Sequence, residues 1–191
     1  MSKYAFAAAG GPARANGVGV RGAVDPLVQG ALVELFAAHD VPVAPSPRSP
    51  AQLRSAVPEV SVMVAFSPTI GGELSGKLTL SLSSALLELM LARSSQDTSV
   101  KLDWARELAS QLMGRIKNRF LPFGVRLGIG RLLLVDSQQL EASLKAASNV
   151  RVYIGRSLRG EVLVTLQGTP EEHTLTYVGM PPALEGSAIW F

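Results

Sequence analysis

The stretch "DWARELASQLMGRIKNRF" (Asp103 to Phe120) decides how the rest of the chain is read. At about 100° per residue, Trp104, Ala105, Leu108, Ala109, Leu112, Ile116 and Phe120 gather on one broad face, which predicts an amphipathic helix with that face in the core. On the other side Glu107, Gly114, Asn118 and Gln111 lie within roughly 60° of one another, by the same rotation. Asp103 and Ser110 flank them, and the cations Arg106, Arg115, Lys117 and Arg119 stand at the edges. A solvated helix back accounts for most of this pattern. It does not account for Gly114, because glycine in a helix interior costs about 1 kcal/mol relative to alanine. Close approach of another backbone, from inside the molecule or from a partner, would supply a reason.

Outward from this helix, the chain alternates clear elements with punctuation. "DPLVQGALVELFAAHD" predicts an earlier helix, with Asp25 as its cap, Pro26 in its first turn and Leu27, Ala31, Leu32, Leu35 and Phe36 at helical spacing. Lone His39, beside Asp40 at its end, reads as a cation complementing the helix dipole. "VPVAPSPRSP" is too rich in proline for helix or central strand, and a short helical turn is expected at "AQLRSAV". Val60, Val62, Val64 and Phe66 alternate with small residues, and Leu78, Leu80 and Leu82 alternate with Lys77, Thr79 and Ser81. This is a hairpin turning near Gly71, Gly72 and Gly76. "SSALLELMLARSS" predicts a helix capped by Ser83 or Ser84, and "QDTSVKL" a linker into the Asp103 helix. "FGVRLGIGRLLLV" reads as a strand and "DSQQLEASLKAAS" as a helix or an excursion. "VRVYIGRSLRGEVLVTLQG" is a second hairpin, and no internal repeat is present. The expected fold is α+β, a mostly antiparallel β-sheet with two or three helices packed on one face.

Composition removes several classes of function. The 191 residues suggest one domain, and a net charge of +3 with no dense Lys/Arg run gives no support for nucleic-acid binding. The absence of cysteine excludes disulfides, thiolate metal sites and thiol nucleophiles, and fits a reducing cytoplasm. His39 and His173, the two histidines, are far apart, so no metal site and no cofactor is expected. No apolar run approaches the ~20 residues of a membrane span, and the opening "MSKYAFAAAGG" is short for a signal peptide. A cytoplasmic protein is expected. "GGELSGKL" (Gly71 to Leu78) nearly matches a phosphate-binding loop. Leu78 occupies the place of the magnesium-binding hydroxyl, and the context is strand–turn–strand, so a hairpin turn is the better reading. No Ser/His/Asp triad is suggested by spacing.

With these elements in place, the chain resembles the CheC/CheX/FliY chemotaxis phosphatases, CheX most of all. The characteristic helix of that family runs E-L-x-N-x-x-x-G, and this chain has "ELASQLMG" from Glu107 to Gly114. The order of elements from Pro26 to Gly168 agrees, including the strand "GKLTLSLS" and the helix "SALLELMLA" that precede the motif. The small, Gly-rich start predicts a flexible or loosely attached segment over residues 1–24, and the apolar end "AIWF" a C-terminal tail over 181–191 that docks on this core or on a partner; the resemblance implies a CheX-like domain over 25–180. It implies action on the aspartyl-phosphate of a CheY-type response regulator, which brings its own magnesium. The motif glutamate, here Glu107, would pair with the regulator's lysine, and the motif asparagine would orient the attacking water. That asparagine is replaced by Ser110, whose hydroxyl sits on a shorter stem than an amide. Gln111 is the nearest amide that would substitute. The favoured expectation is therefore an adaptor with impaired phosphatase chemistry, contacting its partner through Asp103, Gly114 and Asn118. An active phosphatase using Glu107 with Ser110 or Gln111, and an oligomerising structural subunit, stay open. A homodimer paired through sheet edges is a further implication of the resemblance.

Overall fold

The computed structural model describes residues 24–46, 60–69, 75–91, 97–146 and 149–168. The short turn expected at "AQLRSAV", the Gly71–Gly72 turn, the N-terminal segment and the "AIWF" tail lie outside the described residues. Among the described residues six strands form one antiparallel sheet: β1 (Ala44–Pro45), β2 (Val60–Pro68), β3 (Gly76–Leu82), β4 (Leu127–Val135), β5 (Val150–Arg156) and β6 (Glu161–Gln167). Their order is β1-β5-β6-β3-β2-β4, so the second hairpin packs alongside β3 and leaves β4 at the far edge. The α-helices among the described residues are α1 (Val24–Ala37), α2 (Ser84–Met90), α3 (Thr98–Phe120) and α4 (Ser137–Ala146).

Alternation in the strands becomes rows across the sheet. Val62, Leu80 and Val164 stand side by side, as do Val64, Leu78 and Leu166, and all six are buried. Against this face lie Val28, Leu32, Leu35 and Phe36 of α1, Leu86 and Leu87 of α2, and Leu108, Leu112 and Ile116 of α3, in one continuous core. The opposite face carries Ser61, Thr79, Ser81 and Thr165, with Ser61 donating to Ser81 at 2.8 Å. α4 lies against this second face: Leu140 is buried, and Gln167 of β6 donates to Ser143 at 2.9 Å. The helices α1, α2 and α3 thus share one face as expected, and α4 adds partial cover on the other.

Local chemistry explains where elements begin and end. α1 closes with the left-handed residue Asp40, φ 57°. Val41 N–H donates to Phe36 C=O and Asp40 N–H to Ala37 C=O, the paired bonds of a Schellman motif. Asp25 lies inside the first turn of α1 and does not cap it, because its carboxylate accepts from Arg151 and Tyr153 of β5. α3 begins at Thr98, five residues before Asp103, so most of the expected linker is helical. The Asp97 side chain accepts from Ser99 N–H at 2.8 Å and caps it there. Pro122 and Gly124, φ 73°, stop it through a short 3-10 turn. α4 carries a reciprocal cap, Gln139 N–H to Asp136 and Asp136 N–H to Gln139. Pro45 lacks a donor and sits on the two-residue edge strand, where none is needed on its outer side. In β4, Gly130 and Arg131 face Ala65 alone across a bulge, and a Cβ on Gly130 would stand 3.1 Å from the Ala65 carbonyl.

Candidate functional site

α3 packs its apolar face on β2 and β3 and runs antiparallel to α1. The antiparallel arrangement is fixed at both ends: Arg119 pairs with Glu34, and at the other end His39 meets Trp104 and Gln111. This leaves the stripe from Asp103 to Asn118 turned away from the core.

Within the stripe, Glu107 is exposed, and its carboxylate accepts from the Gln111 amide at 2.8 Å, one turn further on. The Gln111 carbonyl lies 3.1 Å from His39 Nε2. The His39 ring meets the Trp104 ring edge-on, 5.3 Å between centroids and 73° between planes. Asp103 is tied to Arg106 of the same helix at 2.7 Å, an exposed pair of the kind that contributes little. Ser110 and Asn118 are half-buried, and neither side chain has a hydrogen bond among the described residues. A Cβ added to Gly114 would meet nothing within 4 Å. No element among the described residues therefore explains this glycine, which faces open space on the outer side of the helix.

Of the residues singled out from the sequence, Glu107 and Gln111 are joined directly. Ser110, Gly114 and Asn118 lie along the same side of α3 and make no side-chain hydrogen bond to them, and Asp103 turns to Arg106. Sequence reasoning missed His39 and Trp104 as parts of this site. His39 is the C-cap of α1, as its place in the sequence suggested, and its ring is turned onto α3. An antiparallel pairing of the two helices was the signal that would have joined them. Chemically, the stripe offers a carboxylate, an adjoining amide, a hydroxyl with no hydrogen bond among the described residues and open space beside a glycine to whatever approaches. Among the described residues no three His, Asp and Glu side chains gather as a metal site.

No family model matches the chain, and no curated protein matches it in sequence. Solved structures do match. The chemotaxis protein CheX from Vibrio vulnificus superposes with a TM-score of 0.57 at 14% identity, covering 82% of this chain and 99% of that one. A CheC-like superfamily protein from Shewanella sp. PV-4 gives a TM-score of 0.60 at 14% identity, over 75% and 96%. CheX in the CheX–CheY–BeF3–Mg2+ complex from Borrelia burgdorferi gives 0.52 at 10% identity, over 75% and 94%. The chain has the CheC/CheX-type fold, as the resemblance implied. Among the described residues no helix is long and apolar enough to cross a membrane.

Proposed function

We propose that this chain is a CheX-like signalling module that docks a CheY-type response regulator through the outer stripe of α3, with impaired phosphatase chemistry. One observation carries the loss of catalysis. Ser110 stands at the motif asparagine, and the amide of Gln111 already donates to Glu107 while its carbonyl faces His39. A water would have to be oriented by a short hydroxyl alone, and small misplacements of a reacting group cost on the order of 100-fold. Docking is supported by the open space at Gly114 and by Ser110 and Asn118, whose side chains make no hydrogen bond among the described residues. The similar fold of a CheX solved with CheY supports the partner class. A cytoplasmic location goes with that partner, and no metal or cofactor of this chain's own is required.

The test is phosphate loss from a phosphorylated CheY-type regulator of the same organism, with the wild-type protein and Glu107→Ala, alongside a binding measurement. Binding without acceleration is the expected result. Acceleration that disappears in Glu107→Ala would replace the adaptor with an active phosphatase.

A homodimer is a second reading, supported by β4. This edge strand of the described sheet exposes Ile129, Leu133 and Leu134 at 40%, 50% and 38%. Sedimentation should give a dimer that Leu133→Glu dissociates; a monomer at all concentrations would remove this reading.

A further inference from the structure

We infer that His39 is a positioning residue for Glu107, acting through Gln111, and that this relay holds His39 in its Nε2–H form. The inference deepens the proposed docking role of α3 and rests on it for its consequence, though not for its geometry.

An amide side chain has a donor end and an acceptor end, and its neighbours decide which way it points. Glu107 offers Gln111 only acceptor oxygens, at 2.8 Å, so the NH2 group must face it. The Gln111 carbonyl then faces His39 Nε2 at 3.1 Å, and that nitrogen must carry a proton to make a bond. Turning the amide over would set its oxygen against the carboxylate with no proton between them. The order of the three groups is therefore fixed in one direction, from His39 to Gln111 to Glu107.

The far end of this relay is well anchored. His39 is the C-cap of α1, where the bonds Val41 to Phe36 and Asp40 to Ala37 set its backbone. Phe36 and Val41 on either side of it are buried. The edge-on Trp104 ring limits how far the imidazole can turn. Glu107 itself is exposed on a flexible stem, and it would otherwise sample several rotamers. Two hydrogen bonds thus convey the rigidity of the α1 terminus to the exposed acid of the docking stripe. Losing one such bond should weaken docking about three- to tenfold, the net worth of a single hydrogen bond.

Two measurements on the full chain separate this inference from the docking role. The first needs no partner: imidazole 1H–15N spectra of the wild type and Gln111→Ala, with His173→Gln to assign the two histidines. A Nε2 proton of His39 that persists in water and is lost in Gln111→Ala supports the relay. A His39 protonated on Nδ1 alone, or a spectrum indifferent to Gln111→Ala, overturns it. The second is affinity for a phosphorylated CheY-type receiver domain. His39→Ala should bind three- to tenfold more weakly, and His39→Gln, whose amide can donate to Gln111, should restore it. Equal affinity of His39→Ala and wild type, where Glu107→Ala binds weakly, overturns the positioning role. Should the wild type bind no receiver, the docking proposal fails, and the imidazole spectra alone decide whether the relay stands.

Discussion

The Tyr153 hydroxyl donates to the Asp25 carboxylate at 2.9 Å, on the same oxygen that Arg151 Nη1 approaches at 2.8 Å. This ties the middle of β5 to the first turn of α1. Burial, and then the hydrogen bond and charge of Asp25, raise the Tyr153 phenol above its ordinary range. The folded protein therefore keeps this proton at a pH where the unfolded chain, with an ordinary phenol near 10, has lost it. The unfolded state binds fewer protons there, so stability is fully present below about pH 10 and falls as pH rises beyond it. Denaturant midpoints between pH 8 and 11 should fall more steeply for the wild type than for Tyr153→Phe. At neutral pH that variant should be less stable by about 1 kcal/mol. Parallel curves would contradict the assignment.

Gly114→Ala should stabilise the isolated protein. The added methyl meets nothing among the described residues, while the helix recovers about 0.5–1 kcal/mol, or roughly 1–4 °C in Tm. A drop in Tm would mean that the space beside Gly114 is filled.

Asp40→Gly should also stabilise, by up to about 1 kcal/mol. Asp40 holds φ 57° at the end of α1, where glycine carries no side-chain strain. Thermal melts check this, and a loss of stability would show that the aspartate contributes something beyond its backbone.

Ser110→Asn restores the amide that the motif calls for, on a face where Ser110 has no hydrogen bond among the described residues. If the serine is what impairs catalysis, this variant should speed phosphate loss from a phosphorylated receiver at least tenfold, within the ~100-fold range attached to misplacement. No gain, with binding intact, would place the defect elsewhere in the site.

Much of the fold was legible because its signals are local. The alternation of Val60, Val62 and Val64 against Leu78 and Leu80, and the apolar face from Ala105 to Phe120, each fall within one element or one hairpin. The two-residue β1 was not, since Ala44 and Pro45 are strand only through their partners Arg156 and Gly155, far along the chain. Nor was the start of α3, because Thr98 and Ser99 have no apolar period and their cap, Asp97, was the one cue. The same division runs through the site. Glu107, Ser110 and Gly114 share a stripe by rotation alone, whereas His39 joins it only because α1 packs antiparallel on α3. The Schellman turn that presents His39 was equally hidden, since Asp40 takes a backbone conformation usually left to glycine or asparagine.

The central claim is that the stripe on α3 is a docking surface whose gap lies at Gly114. Gly114→Leu tests it most directly, because the new side chain would project into space that is empty in the free protein. Affinity for a phosphorylated and an unphosphorylated CheY-type receiver should be measured with the wild type and this variant, with thermal melts confirming that both are folded. The expected result is tighter wild-type binding to the phosphorylated form and at least a tenfold loss in Gly114→Leu with no loss of stability. Equal binding by the folded variant, or no binding by the wild type, would contradict the claim.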